Sequence, residues 1–226
     1  MSRICAIHQP NFFPWLGYFH KMARADVFVI LDTVDIEVGT ADAITNRTRI
    51  KTASGVQWIT IPIKKGDSKI IKDIAIDNSK PWNDKMLKTI FHQYRKSAYF
   101  SKFYPFVEQI LKCETDSLSD YNTNVIKKMA EYFGLSSQIV MASAIDGVST
   151  ERNQRLIDIC KSQNCDVYLS GNGGRKYHDE QLFAQSGVKA EYTDFVHPIY
   201  PQLYGDFVKG VSAMDYCFNV GDKLWK

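Results

Sequence analysis

The chain has no apolar run approaching the roughly 18 residues needed to span a bilayer; its longest, Val27–Leu31, is strand-sized. No signal-peptide apolar region follows Met-Ser-Arg-Ile-Cys, which predicts a cytoplasmic protein. There is no surplus of one charge. The 28 Lys+Arg and 25 Asp+Glu leave +3 over 226 residues, too balanced for a partner such as nucleic acid to be held by bulk charge. HExxH and CxxC are both missing, so no tightly bound metal is indicated. The five cysteines (5, 113, 160, 165 and 217) are odd in number and scattered, and they read as small apolar residues in a reducing compartment. Internal repeats, low-complexity tracts and linkers are also absent. The expectation is one domain over 1–226, with a helical subdomain at roughly 80–135.

What is present is globular in character. Hydrophobic residues make up 45% and charged residues 23%, which excludes disorder as the main state. The 13 Phe, 12 Tyr and 4 Trp need places in a core or in ring-binding pockets.

The opening reads as a β-α-β unit. Arg3–Ile7 is a short apolar strand, His8-Gln9-Pro10 breaks it, and Trp15 to Ala25 has helical spacing. Leu16, Phe19, Met22 and Ala23 lie on or near one stripe, joined by the stem of Lys21. Val27–Leu31 then has the all-apolar pattern of a buried parallel strand ending in Asp32. Arg47–Thr52 and Val56–Pro62 flank a Ser54-Gly55 turn and predict a hairpin. Helical periodicity follows over Pro81–Tyr94, Phe103–Leu111 and Leu118–Phe133, with Gly134 a natural stop. Strands are expected at Gln138–Met141, Asp166–Leu169 and Val188–Tyr192. Helices are expected at Thr150–Gln163 (capped by Ser149 or Thr150), Asp179–Gln185 and Val211–Phe218. The fold class is therefore α/β: a central, mostly parallel sheet with β-α-β units at both ends, a β-hairpin and a helical middle segment.

Ligands of open parallel sheets sit at the carboxyl ends of the strands. His8-Gln9-Pro10 and Asp32 are both placed there, and His8 can be a proton acceptor, a phosphate donor or the cap of the next helix. The layout is similar to the opening of nucleotidyltransferases and class I synthetases, although their HxGH signature is absent. Arg47, Arg49 and Lys51 share one strand face behind Asn46, a row that suits a pyrophosphate or carboxylate or else faces solvent. Tyr168 to Tyr177 runs a strand into Ser170-Gly171-Asn172-Gly173-Gly174-Arg175, an anion-loop composition that is neither a Walker A nor a GxGxxG. Asp179-Glu180 then fit a helix's first turn. The aromatic stretch His197–Phe207 can stack a ring, with Gln202 and Asp206 bonding hydroxyls, or pack over the sheet edge.

Taken in order, these motifs resemble the WbqC-like protein family. The resemblance is carried by His8-Gln9-Pro10-Asn11-Phe12-Phe13-Pro14-Trp15-Leu16-Gly17-Tyr18-Phe19, Asn46-Arg47-x-Arg49-Ile50-Lys51 and Trp58-Ile59-Thr60-Ile61-Pro62. Ser149-Thr150-Glu151-Arg152-Asn153, Leu169-Ser170-Gly171 and Tyr200-Pro201-Gln202 with Phe207, Ser212 and Asp215 extend it nearly end to end. The family resemblance implies a bacterial O-antigen or other surface-polysaccharide pathway. The implied activity is glycine (aminoacyl) transfer, forming an amide on a nucleotide-activated amino sugar. His8 would take the proton from the attacking amine, with Gln9 beside it. Arg47, Arg49, Lys51 and Arg175 would hold phosphates, and Asn46 and Gln202 would orient polar groups. Asn11, Trp15, Tyr18, Asp32, Ser170, Gly171, Tyr177 and Asp206 complete the implied contact set. The partners are then a nucleotide-sugar substrate and an amino-acid donor. A free carboxylate does not acylate an amine, so the donor is activated by ATP with Mg²⁺ in this site or is charged elsewhere. A non-catalytic nucleotide-sugar-binding protein and a nucleotidyltransferase are the alternatives.

Overall fold

The computed structural model describes residues 2–40 and 43–223. In chain order the elements are β1 (Ile4–His8), α1 (Leu16–Ala23), β2 (Val27–Ile30), β3 (Arg47–Thr52), β4 (Gly55–Thr60), α2 (Trp82–Tyr94), α3 (Phe100–Leu111), α4 (Leu118–Tyr132), β5 (Gln138–Met141), α5 (Arg152–Ser162), β6 (Val167–Ser170), α6 (Glu180–Ser186), β7 (Lys189–Tyr192) and α7 (Ala213–Asn219). The chain is α/β as the pattern predicts. Its elements fall within a few residues of the expected bounds and its five-stranded sheet is wholly parallel.

Two compact units share the chain. Unit 1 comprises residues 1–9, 17–33 and 135–196, and unit 2 comprises 10–16, 34–134 and 197–226. Unit 1 carries the sheet in the order β5-β2-β1-β6-β7. The winding runs outward from β1 through β2 to β5, then returns to the other side of β1 for β6 and β7. β2 is buried along its length, which is why its sequence is uninterrupted by polar residues. One face of the sheet packs Cys5, Ile7, Val29 and Tyr168 against Leu156, Ile157 and Cys160 of α5 and Phe183 of α6. Cys5, Cys160, Cys165 and Cys217 are buried free thiols, and Cys113 is exposed. The α5 cap is not Ser149 or Thr150 but Glu151, whose carboxylate accepts from Gln154 N at 2.7 Å.

Unit 2 contains the antiparallel β3–β4 hairpin and the helical middle segment. The 70–76 stretch is held by single bridges, Asp35 with Ile70 and Ile63 with Ile76, around a short 3-10 turn at Ile71–Asp73. Much of this unit's order comes from side chains that satisfy backbone in the 10–14 loop. Asn122, fully buried on α4, donates from Nδ2 to Pro10 O (2.8 Å) and Thr45 O (2.7 Å). Thr48 Oγ1 and Ser212 Oγ both donate to Phe13 O, at 3.1 and 2.9 Å.

Removing the Asn122 donors strands two buried carbonyls. Asn122→Ala should cost about 2–4 kcal/mol in urea unfolding. Asn122→Asp, which matches the shape but loses the donor, should be no milder.

Candidate functional site

The crevice of a sheet wound this way lies where the strand order reverses, between β1 and β6 at their carboxyl ends. The β1–β6 register ends at Ala6 opposite Leu169, and beyond it the chain continues as Ile7-His8-Gln9 on one side and Ser170-Gly171 on the other. The β1–β2 register runs further, to His8 opposite Ile30, and Leu31 N donates to His8 O. Carbonyls alternate along a strand, so Ile7 O points toward β6, where no ladder partner remains. Lys21, projecting from α1, supplies the donor: its Nζ lies 2.8 Å from Ile7 O.

That lysine is only 5% exposed. Burial pulls its pKa down to about 7, so it changes charge near neutrality. The sequence stripe counted only its methylene stem. The signal available was a lysine at helical spacing among residues that are otherwise apolar. His8 sits beside it with its ring 4.7 Å from that of Tyr18. Burial, with the positive charge of Lys21 in second place, holds the His8 imidazole well below its ordinary pKa. His8 Nδ1 lies 3.3 Å from Gln9 O, which can only accept. A carbonyl in that position favours the tautomer with the proton on Nδ1, which leaves Nε2 as the unprotonated nitrogen. Tyr18 OH donates to the same Gln9 carbonyl at 3.2 Å.

On the β6 side the glycine-rich segment is a short 3-10 helix, Asn172–Lys176. Gly171 and Gly173 have open space where a Cβ would stand, whereas a Cβ on Gly174 would meet Ser170 Oγ at 2.3 Å and His178 Cε1 at 2.5 Å. The serine hydroxyl and the imidazole thus converge over Gly174. His178 Nδ1 is 3.3 Å from Tyr192 OH, which in turn donates to Glu180 Oε1 at 3.3 Å. Desolvation, followed by the Arg152 charge, lowers the His178 pKa. This His178–Tyr192–Glu180 chain was not legible in the sequence, where only Asp179-Glu180 stood out. Asp179 caps α6 by accepting from Gln181 N and Leu182 N.

The remaining expected residues divide between the units. In unit 1, Arg175 stacks its guanidinium 4.1 Å over the Tyr192 ring, and the exposed Tyr177 carries Arg152 at 4.9 Å. Asp32 is buried and accepts from Ser143 N at 3.0 Å. In unit 2, Asn11 is buried, Trp15 stacks with His197 at 6.4 Å, and Asn46 Nδ2 donates to Ile61 O. The cationic row is not a solvated face. Arg47 donates to Ala43 O and Thr40 O, Arg49 to Gly210 O, and Lys51, 3% exposed, to Gly205 O and Asp206 O. Gln202 is bound through both ends of its amide to Val208 and to the Tyr200 hydroxyl, while the Asp206 residue is exposed. Tyr200 and Tyr94 each donate at 3.0 Å to Asp215, whose burial raises its pKa.

Two measurements check this geometry. Between about pH 7 and the ordinary lysine value, the unfolded chain holds a proton on Lys21 that the folded chain has released, so stability rises with pH. The limit is about 1.4 kcal/mol per pH unit. From pH 7 to 9 the wild type should gain about 1–3 kcal/mol relative to Lys21→Met in chemical unfolding. Gly174→Ala should shift the His178 imidazole resonances in NMR and cost about 1–3 kcal/mol, because its Cβ must displace Ser170 or His178.

No solved structure matches the chain. The protein named "Uncharacterized protein Rv1507c" from Mycobacterium tuberculosis (strain ATCC 25618 / H37Rv) is 31% identical over 220 residues, covering 96% of this chain and 93% of that one. The WbqC-like protein family matches residues 9–226, and the chain belongs to that family.

Proposed function

We propose that the crevice between β1 and β6 carries out N-acyl transfer, passing an aminoacyl group to the amine of a nucleotide-activated amino sugar. The observation that carries this reading is a pair of bases held in reserve at one strand end. His8 has its pKa lowered with Nε2 available, and Lys21 is buried with a pKa of about 7. Amide formation from an amine needs such an acceptor, because the nitrogen sheds a proton as it attacks.

The amine nitrogen attacks the acyl carbon of an activated donor, the C–N bond forms and the bond to the leaving group breaks. The proton lost by nitrogen passes to His8 Nε2 and then to the leaving group. The charge on Lys21 bears on the same event, since it depresses the His8 pKa. The 3-10 helix at Asn172–Lys176 and Arg175 are the phosphate-facing elements of this reading. Arg47, Arg49 and Lys51 brace Thr40, Ala43 and the 205–210 segment through carbonyl oxygens, a structural part independent of the chemistry. The donor is an aminoacyl adenylate formed from ATP with Mg²⁺, or a thioester or ester charged by another enzyme.

The test is product formation followed by mass spectrometry with UDP- and dTDP-amino sugars, glycine, ATP and Mg²⁺, and separately with an aminoacyl thioester. The expected product is the sugar nucleotide carrying one glycyl amide. His8→Ala should lower turnover about 100-fold or more, and Lys21→Met should lower it less while moving the rising limb of the pH profile near 7. Sugar-nucleotide binding without product under either donor would make the protein a binding component. Full turnover by His8→Ala would remove His8 from the chemistry.

A further inference from the structure

Unit 2 contains a groove that the transferase reading does not use. Its floor is the Trp58-Ile59-Thr60 segment of β4, and its wall is the start of α2. The cavity has a volume of about 530 Å³, and its lining includes the half-buried Trp58 and Trp82 and the buried Met86. Both rings are fixed. Arg47 lies 4.1 Å over Trp58, and Trp82 Nε1 donates to Asn78 Oδ1 at 3.0 Å with the ring edge-to-face on Tyr121. A second hollow shares Gln57, Pro81, Lys85 and Thr89 with the first and continues along α2 to Gln93. At about 1.5 Å per residue the groove follows α2 for about 18 Å.

Its rim is cationic. Lys85, Lys88 and His92 are spaced three and four residues apart and share one helical face, and Lys80 stands at the entrance. Among the described residues neither Lys85 nor Lys88 makes a salt bridge, and Asp84 is the carboxylate in the lining. Gln57, Thr60 and Thr89 add neutral hydrogen-bonding groups beside the indoles.

We propose that this groove binds a short acidic oligosaccharide, with pyranose rings stacked on Trp58 and Trp82 and carboxylates or other anionic substituents paired to Lys80, Lys85 and Lys88. Three features favour that occupant. The indole π-faces are electron-rich and accept the weakly positive C–H face of a sugar ring. Neutral amide and hydroxyl groups suit ring hydroxyls. The extended stripe of cations matches a linear polyanion, which a compact mononucleotide would engage at one end only. Single-stranded nucleic acid also combines rings with negative charge, but the balanced total charge of the chain disfavours it. The proposal rests on unit 2 alone and stands or falls apart from the acyl-transfer chemistry.

The test is a titration of the full-length protein, followed by intrinsic tryptophan fluorescence, with tetragalacturonate, maltotetraose and a single-stranded oligothymidylate of eight nucleotides. Tetragalacturonate should give a saturable change that weakens as salt is raised. Trp58→Leu should weaken it about tenfold or more, and Lys85→Gln, at an exposed position that leaves the fold intact, about threefold or more. A folded Lys85→Gln that binds like wild type overturns the proposal. So do equal affinity for maltotetraose, tighter binding of the oligothymidylate, and the absence of any saturable response.

Discussion

The hydrogen bond from Lys21 to the Ile7 carbonyl governs the end of the central strand. β1 is flanked on both sides, so its backbone groups must be satisfied by neighbours until the chain leaves the sheet. The two ladders stop at different places, and the difference leaves one buried carbonyl facing β6. A backbone amide from β6 would have closed the crevice there. A lysine reaching across from α1 satisfies the carbonyl and introduces a titratable group at the end of the strand. Its depressed pKa follows from the same burial that makes the hydrogen bond necessary.

Much of the architecture was legible because it rests on patterns with a local cause. The unbroken Val27–Ile30 run marks a strand covered on both faces. The spacing of Met86, Leu87 and Ile90 marks the buried side of α2, and Gly134 ends α4's turn with a φ of +67°. The carboxyl ends of β1 and β6 were legible too, since their apolar runs stop at His8 and Ser170. The chemistry at the crevice was harder to read. Lys21 looks like any amphipathic residue whose stem can lie on a core, and only the three-dimensional ladder mismatch shows where its ammonium goes. His178 lies eight residues beyond the end of β6, and its relation to Ser170 depends on a 3-10 turn that folds back over Gly174.

The Arg47, Arg49 and Lys51 row shows what spacing leaves out. Period-two spacing correctly places three cations on one strand face, yet spacing carries no information about what lies opposite. Here the opposite groups are the carbonyl oxygens of Thr40, Ala43, Gly205, Asp206 and Gly210. A guanidinium or ammonium can hold several such oxygens at once, so a cation row fastens irregular chain as readily as it binds phosphate. Trp58, which also lines the unit 2 groove, lies in the same arrangement, with Arg47 and Arg49 both over its ring.

The opening signature, read as one motif, has two physical jobs. His8 and Gln9 end the central strand, whereas Pro10 to Pro14 are an irregular stretch whose backbone is bound piece by piece within unit 2. Pro10 O is taken by Asn122, Phe12 N by Ile44 O, Phe13 O by Thr48 and Ser212, and Pro14 O by Ala213 N. Phe13 adopts a φ of +38°, an uncommon conformation for a residue with a side chain, while its ring is buried. The two hydroxyls converging on its carbonyl offset that cost. Ser212 also accepts from Met214 N at the start of α7, so one hydroxyl fixes both the loop and a helix end. Motifs far apart in sequence, around residues 48, 122 and 212–213, therefore serve a common purpose: they hold Pro10 to Pro14 in a single conformation.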